Sequence, residues 1–398
     1  MAASTGIRAS RAEALTAFLY RPEVRQAIYQ VLFLAAVGYV IYWVVNNVSD
    51  NLRRQNIASG FEFLGRTSGF DVSQTLIDYS SQSSYGRAFW VGLLNTLLVA
   101  GLGIVAATAM GFIIGIARLS SNWVVARLAS AYVEIVRNLP LLLQLFFWYF
   151  AVLKNLPGPR QSHVLPGGAL LNVRGLYLPA PVPQAGFEAV LAAFGISLLL
   201  AIALWIGSRR LQAATGRRLP VFWPSVLIMV ALPLTVYLAA GSPLGFSYPE
   251  LRGFNLQGGI PVHPELIALL LGLSIYTASF IAEIVRAGIL GVPQGQTEAA
   301  QAIGLSQGQV LRLVVIPQAL RIIIPPLTSQ YLNLTKNSSL AVAIGYPDFV
   351  SVFTGTVLNQ TGQAVEVILM TMGMFLSLSL ATSLFMNWFN SRIALVER

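Results

Sequence analysis

The sequence contains no cysteine, two lysines and two histidines among 398 residues. Without cysteine, the chain has no disulfide, iron–sulfur cluster or thiolate metal site. Both histidines, His163 and His263, lie in proline- and glycine-rich segments outside every predicted membrane span, which excludes a histidine-ligated haem. No H-E-x-x-H motif is present, and we expect neither a metal site nor a catalytic site in this chain.

The two lysines also bear on nucleotide binding. A P-loop ATPase needs a lysine directly after a glycine, because that lysine must reach the β- and γ-phosphates. Lys154 follows Leu153, and Lys336 follows Thr335. The chain therefore lacks a P-loop and is expected to bind no cofactor itself.

Charge is scarce as well. Only 10% of the residues are charged and 56% are hydrophobic, whereas a soluble domain has about 25% charged residues. A spanning helix needs about 20 mostly apolar residues. Five stretches without a charge meet this need: 26–49, 88–117, 189–208, 219–249 and 367–391. Three more have a charge at or inside an edge: 132–153, 266–290 and 322–345. We therefore predict an all-α integral membrane protein with about eight transmembrane helices.

The basic residues predict the orientation of these helices. With a cytoplasmic N-terminus, sixteen arginines lie in cytoplasmic positions and eight basic residues lie on the opposite side. This positive-inside bias explains most of the net charge of +10 through a lipid bilayer, without nucleic acid. Eight spans return the C-terminus to the cytoplasm. The first apolar stretch is too long for a signal peptide and lacks an A-x-A-like cleavage site, so we expect a retained helix.

These observations divide the chain into seven segments. They are a cytoplasmic N-terminus (1–27), an extra first helix (28–45), an external segment (46–86), helices two and three (87–155), an insertion with helices four and five (156–262), helices six to eight (263–390) and a cytoplasmic C-terminus (391–398). The external parts of the insertion, about 155–186 and 241–264, are rich in proline and glycine and are predicted to be loops.

The cytoplasmic loop 291–321 is less polar than most loops. Its sequence predicts a short helix with Thr297 as N-cap, a turn at Gly304, and a second helical stretch over about 307–316 that stops at Pro317. Small residues in the first helix permit close docking. On composition alone, a helix that caps the bundle and a docking surface for a partner are equally good interpretations.

This loop resembles the EAA loop of permeases of ATP-binding-cassette importers. The family pattern is E-A-A, three residues, G, nine residues and I-x-L-P. It falls on Glu298, Ala299, Ala300, Gly304 and Pro317, with Val314 and Ile316 as shape-preserving departures. The resemblance implies that the loop is the coupling helix, which sits in a groove of a separate ATPase. The transport chain would then not be an enzyme.

Further stretches are similar to the polar amino-acid branch of that family. They are 92–120, 132–150, 276–290 and 329–348. The resemblance implies a five-helix type I permease core, to which this chain adds its first helix and the insertion. This larger layout is similar to permeases of broad-specificity L-amino-acid importers. The resemblance to this family also implies transport by alternating access in a bacterial inner membrane, and it implies three kinds of partner. They are a cytoplasmic ATPase dimer that binds ATP and Mg²⁺, a second, different permease, and a periplasmic amino-acid-binding protein.

The seventh span contains the candidate pathway residues. Polar side chains are concentrated there, and a helix this polar is expected to face other helices or water instead of lipid. The candidates are Gln330, Asn333, Lys336, Asn337 and Ser338. Lys336 could meet a substrate carboxylate, or it could snorkel towards the membrane surface or pair with Asp348 or Glu366 in the bundle.

Three more interpretations follow from helical spacing. Glu283 with Arg286, and Glu134 with Arg137, are three apart and predict helix-end ion pairs. The G-x-x-x-G of Gly111 and Gly115 predicts close helix packing.

Two other functions are alternatives to an ATP-driven importer. An ion-driven secondary transporter would bind its driving ion at an acidic residue in the membrane, with Glu366 as the main candidate. A membrane scaffold would transport nothing.

Overall fold

The computed structural model describes residues 22–54, 59–216, 219–253 and 255–393. Most of both predicted cytoplasmic termini therefore lies outside the described part of the chain.

Twelve α-helices are present in the described ranges. They are α1 (Pro22–Arg54), α2 (Tyr85–Ala117), α3 (Trp123–Asn138), α4 (Leu141–Phe146), α5 (Phe187–Thr215), α6 (Phe222–Ala239), α7 (Pro264–Leu290), α8 (Gln294–Ala302), α9 (Gln307–Val310), α10 (Ile316–Asn337), α11 (Leu358–Thr361) and α12 (Ala364–Ile393). Turns of π-helix at Phe147–Val152, Leu311–Val315 and Val350–Val357 extend α4, link α9 to α10 and precede α11. Short 3₁₀ helices occupy Glu62–Gly65, Leu153–Asn155, Pro159–Gln161 and Ser338–Ile344.

Within the described ranges, seven helices are long and apolar enough to cross a membrane, and a bent pair supplies an eighth span. This confirms the prediction of an all-α membrane protein. The last turns of the seventh span are 3₁₀, and the span starts at Gln307 instead of residue 322. The predicted loop 291–321 therefore ends at residue 306, and its second half belongs to a membrane helix.

Helices α2 and α7 form the most extensive contact between helices of the described chain, and they run parallel. A Cβ atom placed on Gly111 would lie 2.5 Å from Ile281 Cγ2, and one on Gly115 would lie 2.8 Å from the carbonyl oxygen of Ala282. Only a residue without a side chain lets the two backbones approach this closely. The G-x-x-x-G of α2 is therefore a packing motif, as predicted.

Helix α10 completes the centre of the bundle. It runs antiparallel to both neighbours, because Ile323 fits against Gly288 near the end of α7 and Leu334 fits against Gly103 in the middle of α2. Helix α12 packs on the outer side of α10. The largest buried apolar cluster lies among α2, α4, α7 and α10.

The predicted third span, 132–153, is wrong as a single helix. It is broken into α3 and the helical stretch that begins with α4, with a bend of 106° between them. Pro140 lies at the break and has no N–H to donate to the preceding turn. Proline also disfavours helical backbone in the residue before it, and Leu139 is extended.

The loops of the insertion are not irregular. Strands β1 (His163–Leu165), β2 (Ala169–Asn172) and β3 (Gly175–Leu178) pair as an antiparallel meander with β8 (Ile260–Val262). Strands β4 (Ala180–Pro183) and β5 (Leu244–Ser247) pair beside α5 and α6, and β6 (Glu250–Arg252) pairs with β7 (Asn255–Gln257). Many of the glycines and prolines that predicted loops lie in the turns between these short strands, whereas Pro181 and Pro261 lie inside β4 and β8.

The inserted helices α5 and α6 pack mainly on each other. Helix α1 likewise has only isolated contacts with the rest of the described chain, and none of its described side chains is buried. The core therefore does not depend on these three helices for its burial.

The end of the bundle opposite α8 is called the distal end here. It is closed by residues 59–84 and 345–363, whose aromatic side chains form a second apolar cluster around Phe63, Tyr85, Phe349 and Phe353. The stacked rings of Phe349 and Phe353 lie 4.8 Å apart, and Phe89 meets both edge-on. This cluster fixes the external segment against the start of α2.

Candidate functional site

The predicted coupling loop is a short helix that projects from the bundle. Helix α8 starts earlier than predicted, at Gln294, and its N-cap is Pro293 instead of Thr297. Gly291 and Val292 connect α7 to α8, and Val292 is buried, so the connection is short and packs against the bundle. Only Ala300 of α8 is buried, and it is the residue through which this helix is anchored.

Gly304 ends α8 in a Schellman motif. Its φ is +87°, its N–H donates to the carbonyl of Gln301 at 2.9 Å, and the N–H of Leu305 donates to Ala300 at 3.2 Å. This left-handed conformation costs an L-residue with a Cβ roughly 1–2 kcal/mol. A Cβ at Gly304 would meet no atom within 4 Å. The glycine is therefore required by the backbone and not by space within this chain.

The next helix begins with a capping box. Ser306 and Gln309 exchange hydrogen bonds, and the Ser306 N–H donates to Gln309 Oε1 at 2.9 Å. Residues 304–308 read G-L-S-Q-G, which has the letters of a nucleophile elbow. However, Ser306 is a helix cap here, and neither histidine is near it in the fold because both lie in the distal strands and the start of α7.

The prediction that the second helix stops at Pro317 is wrong. The π-turn Leu311–Val315 precedes it, and Pro317 occupies the first turn of α10. A proline has no N–H to offer and clashes with the carbonyl four residues before it. The wider π-turn accommodates both effects, so the helix continues into the membrane.

The outer surface of α8 has no partner among the residues that the structure describes. Glu298 and Ala299 are exposed, and the Glu298 carboxylate makes no hydrogen bond or ion pair within the described ranges. Ile303 is 78% exposed. A single exposed isoleucine is normal on a protein surface, so the coupling role of this face stays a prediction.

The polar candidates of α10 do not share one environment. Asn333 and Lys336 are exposed, Gln330 and Asn337 are half-buried, and Ser338 is fully buried with its hydroxyl bonded to the Thr335 carbonyl at 2.7 Å. The exposed residues lie on the side of α10 that no described element covers, whereas Ser338 serves the helix itself. A pathway role for these residues remains a prediction.

The predicted pairing of Lys336 is absent. Glu366 accepts the Gly60 N–H at 2.6 Å, and Asp348 accepts the Ser351 N–H at 2.8 Å as a helix cap. Both carboxylates therefore serve the distal end, and Lys336 makes no ion pair within the described chain. A charged residue in a polar helix without an internal partner needs water or a partner subunit.

The break at Pro140 is a structural feature that the sequence predictions missed. The buried Gln144 side chain donates to the carbonyls of Val136 and Leu139, each at 3.0 Å. These carbonyls lost their helical partners at the break, and in a membrane such groups need partners from the protein. A glutamine four residues after a proline inside an apolar span was the available signal.

One of the two predicted helix-end ion pairs is confirmed. Arg286 Nη2 lies 2.6 Å from Glu283 Oε1, and Arg118, at the end of α2, also donates to Glu283. The other is wrong, because Arg137 places its guanidinium 4.9 Å from the centre of the Phe280 ring instead of pairing with Glu134. A cation over an aromatic face replaces the ion pair there.

Comparison with known proteins decides the family. Residues 210–395 match the model of the binding-protein-dependent transport system inner membrane component. The general L-amino acid transport system permease protein AapQ of Rhizobium johnstonii is 54% identical over 380 residues, which cover 96% of this chain and 95% of that protein. The chain belongs to this family of transport permeases. The matched family and relatives are permeases of binding-protein-dependent and ABC transport systems, which does not support the ion-driven alternative.

Two further relatives span almost the whole length of this permease. The putative amino-acid ABC transporter permease protein YhdX of Escherichia coli is 53% identical and covers 95% of this chain and 96% of its own. The glutamate/glutamine/aspartate/asparagine transport system permease protein BztB of Rhodobacter capsulatus is 40% identical, and the match covers 96% of this chain and 97% of that protein. This permease is therefore a multi-pass membrane subunit of a transport system.

Proposed function

We propose that this permease is the membrane-spanning subunit of an ATP-driven importer of L-amino acids. Its three full-length relatives are named for amino-acid transport, and one of them for general L-amino-acid transport. A separate cytoplasmic ATPase dimer binds ATP and Mg²⁺, and a periplasmic binding protein delivers the substrate. A second, different permease subunit completes the membrane part in a bacterial inner membrane, with both termini in the cytoplasm.

The observation that carries this proposal is the surface of α8. The chain lacks a P-loop, so the energy must come from a partner. The exposed Glu298 and Ile303 offer that partner a charged and an apolar contact on one short helix. Val292 and Ala300 anchor the helix, so a push on α8 reaches α7 instead of being lost in a flexible loop.

Alternating access then follows from the bundle. Closure of the ATPase dimer displaces α8, and α7 transmits the movement because it is the most buried span. The exposed side of α10, with Asn333 and Lys336, faces the second permease across a water-filled pathway. In that position the Lys336 ammonium meets the substrate carboxylate, while Gln330, Asn337 and Ser338 lie behind it.

The test is uptake of labelled amino acids by cells that express this chain with its partners. Uptake is measured under vanadate, and separately with the proton gradient collapsed while ATP is maintained. We expect loss under vanadate only. Loss only on collapse of the gradient would contradict an ATP-driven importer.

Two variants at Gly304 test the coupling surface. Gly304→Trp should insert into the membrane but lose uptake, because it strains the left-handed turn and enlarges the docking face. Gly304→Asn should retain most of its uptake, because asparagine tolerates that backbone conformation. Normal uptake by the tryptophan variant would contradict the role of α8 in coupling.

A further inference from the structure

Glu283 connects three helices near the coupling loop. Its carboxylate pairs with Arg286 of its own helix α7 and with Arg118, which follows the last residue of α2. The same Arg118 donates from Nε to Ser130 Oγ of α3 at 3.5 Å, a long hydrogen bond. We call Glu283, Arg118 and Arg286 the arginine clamp.

The clamp lies where α2 and α7 are closest. A Cβ on Gly115 would lie 2.8 Å from the carbonyl of Ala282, the residue directly before Glu283. Steric fit therefore already fixes α2 against α7 at this level. Arg118 is the least exposed member, with 12% of its side chain accessible against 30% for Glu283 and 32% for Arg286. The ion pair between Arg118 and Glu283 is therefore better shielded from water than the pair between Arg286 and Glu283.

The clamp also stands between α8 and the break in the third span. Helix α7 ends at Leu290, two turns beyond Glu283, and α8 starts at Gln294. On the other side, α3 runs from its contact with Arg118 to the break at Pro140. Helix α7 also contacts α3 without the clamp, because the Tyr132 hydroxyl donates to the Ile275 carbonyl at 2.6 Å and the Arg137 guanidinium lies over the Phe280 ring. Of these three polar contacts of α7, the clamp at Glu283 lies nearest to α8.

We propose that Glu283 is a positioning residue that makes α2, α3 and α7 move as one rigid body during transport. This inference rests on the proposed function. The bond between Arg118 and Glu283 joins different helices, whereas the bond between Arg286 and Glu283 joins neighbours on one helix. The inter-helix bond carries the movement, and the intra-helix bond only orients the carboxylate.

This distinction gives a matched pair of variants. Arg118→Ala and Arg286→Ala each remove one positive charge from the same carboxylate. Uptake and ATP hydrolysis are measured together in proteoliposomes that contain the complete importer. We expect Arg118→Ala to lower the amount of substrate carried per ATP by about fivefold or more, the size of a typical coupling between sites. Arg286→Ala should stay within about twofold of the wild type. Equal effects of the two variants, or no effect of either, would overturn the clamp.

A distance measurement covers the case in which Arg118→Ala does not assemble. The chain has no cysteine, so spin labels can be placed on cysteines introduced at Leu128 of α3 and Leu290 of α7 without removing native ones. Both leucines are exposed. In the importer with cysteine-free partners, the distance between the labels should be the same without nucleotide and in the vanadate-trapped state. A distance that changes in the otherwise wild-type chain would overturn the inference.

The two proposals fail differently. Wild-type importer without vanadate-sensitive uptake would count against the proposed function. Coupled wild type with an unchanged Arg118→Ala variant would count against the clamp alone.

Discussion

Helices α7 and α6 have the same mean hydropathy but different surroundings. In its most apolar stretch, α7 is 56% buried within the chain, whereas none of α6 is buried. The difference lies in side-chain size. The buried face of α7 contains small residues such as Gly272, Ala278, Ala282 and Gly288, and α6 consists mostly of large apolar residues. Hydropathy places both helices in a membrane, but small residues select the one that packs inside the protein.

The same contrast separates the core from the insertion and α1. In the core, a Cβ atom on Gly111, Gly115, Gly272 or Gly288 would collide with a neighbouring helix. In α5, a Cβ atom placed on Gly195 or Gly207 would meet no atom within 4 Å. Four predictions test this contrast, in order of decreasing effect.

The largest effect is expected at the contact of α2 with α7. Gly115→Leu should destabilise the fold by about 3 kcal/mol or more, because the new side chain would overlap Val285 and the Ala282 backbone. The measurement is the yield of monodisperse protein and its thermal unfolding in detergent. Gly101→Leu is the control. Gly101 lies on the same helix, but a Cβ atom placed on it would meet no atom within 4 Å, so this variant should fold normally. Equal yields of the two variants would show that α2 and α7 are not packed this closely.

The second effect concerns a buried carboxyl at the distal end. Burial raises the pKa of Asp348, in the turn outside the membrane spans, to about 7. The unfolded chain, with a pKa of about 3.9, loses this proton first as pH rises. The folded state therefore holds more protons, and its stability falls between about pH 4 and pH 7, by at most about 1.4 kcal/mol per pH unit for this group.

Asp348→Asn should remove that fall while keeping an oxygen for the Ser351 N–H. Its melting temperature should exceed that of the wild type at pH 8, and the difference should shrink towards pH 4. Asp78→Asn, at an exposed site, serves as the control and should leave the pH profile unchanged. Parallel profiles of wild type and Asp348→Asn would contradict the assignment.

The third effect concerns the break in the third span. Gln144→Ala should cost about 1–3 kcal/mol, because it leaves the carbonyls of Val136 and Leu139 without their side-chain donor. Gln161→Ala, in the exposed part of the insertion, should cost little. Thermal unfolding of both variants provides the test, and a neutral Gln144→Ala would mean that the break is stabilised in another way.

The smallest expected effect is a gain in stability instead of a loss. Gly195→Ala in α5 should stabilise the protein by up to about 1 kcal/mol, because alanine has the higher helix propensity and meets no neighbour. Gly111→Ala in α2 should destabilise it, since its Cβ would lie 2.5 Å from Ile281 Cγ2. Loss of stability in both variants would mean that α5 packs against a neighbour as tightly as α2 does.

Predictions that rest on composition, residue size and backbone freedom were more accurate for this chain than those of helix ends and of side-chain partners. The number of spans, the G-x-x-x-G contact and the turn at Gly304 follow from hydropathy, residue size and backbone freedom. The prediction that Pro317 ends a helix failed, because a π-turn before it accommodates the ring. The predicted partners of Lys336 and Arg137 also failed, because sequence spacing does not reveal that Gly60 contacts Glu366 or that Phe280 lies under Arg137.

The sequence alone determined that this protein lies in a membrane, crosses it about eight times and carries no P-loop. These properties depend on composition, on the length of apolar runs and on the letters around two lysines. The tertiary structure decided which spans form the core, where the third span breaks and that Glu283 joins the end of α2 to α7. These features depend on close approach between residues far apart in the chain, and the energy of such contacts is a property of the folded arrangement and not of any local stretch.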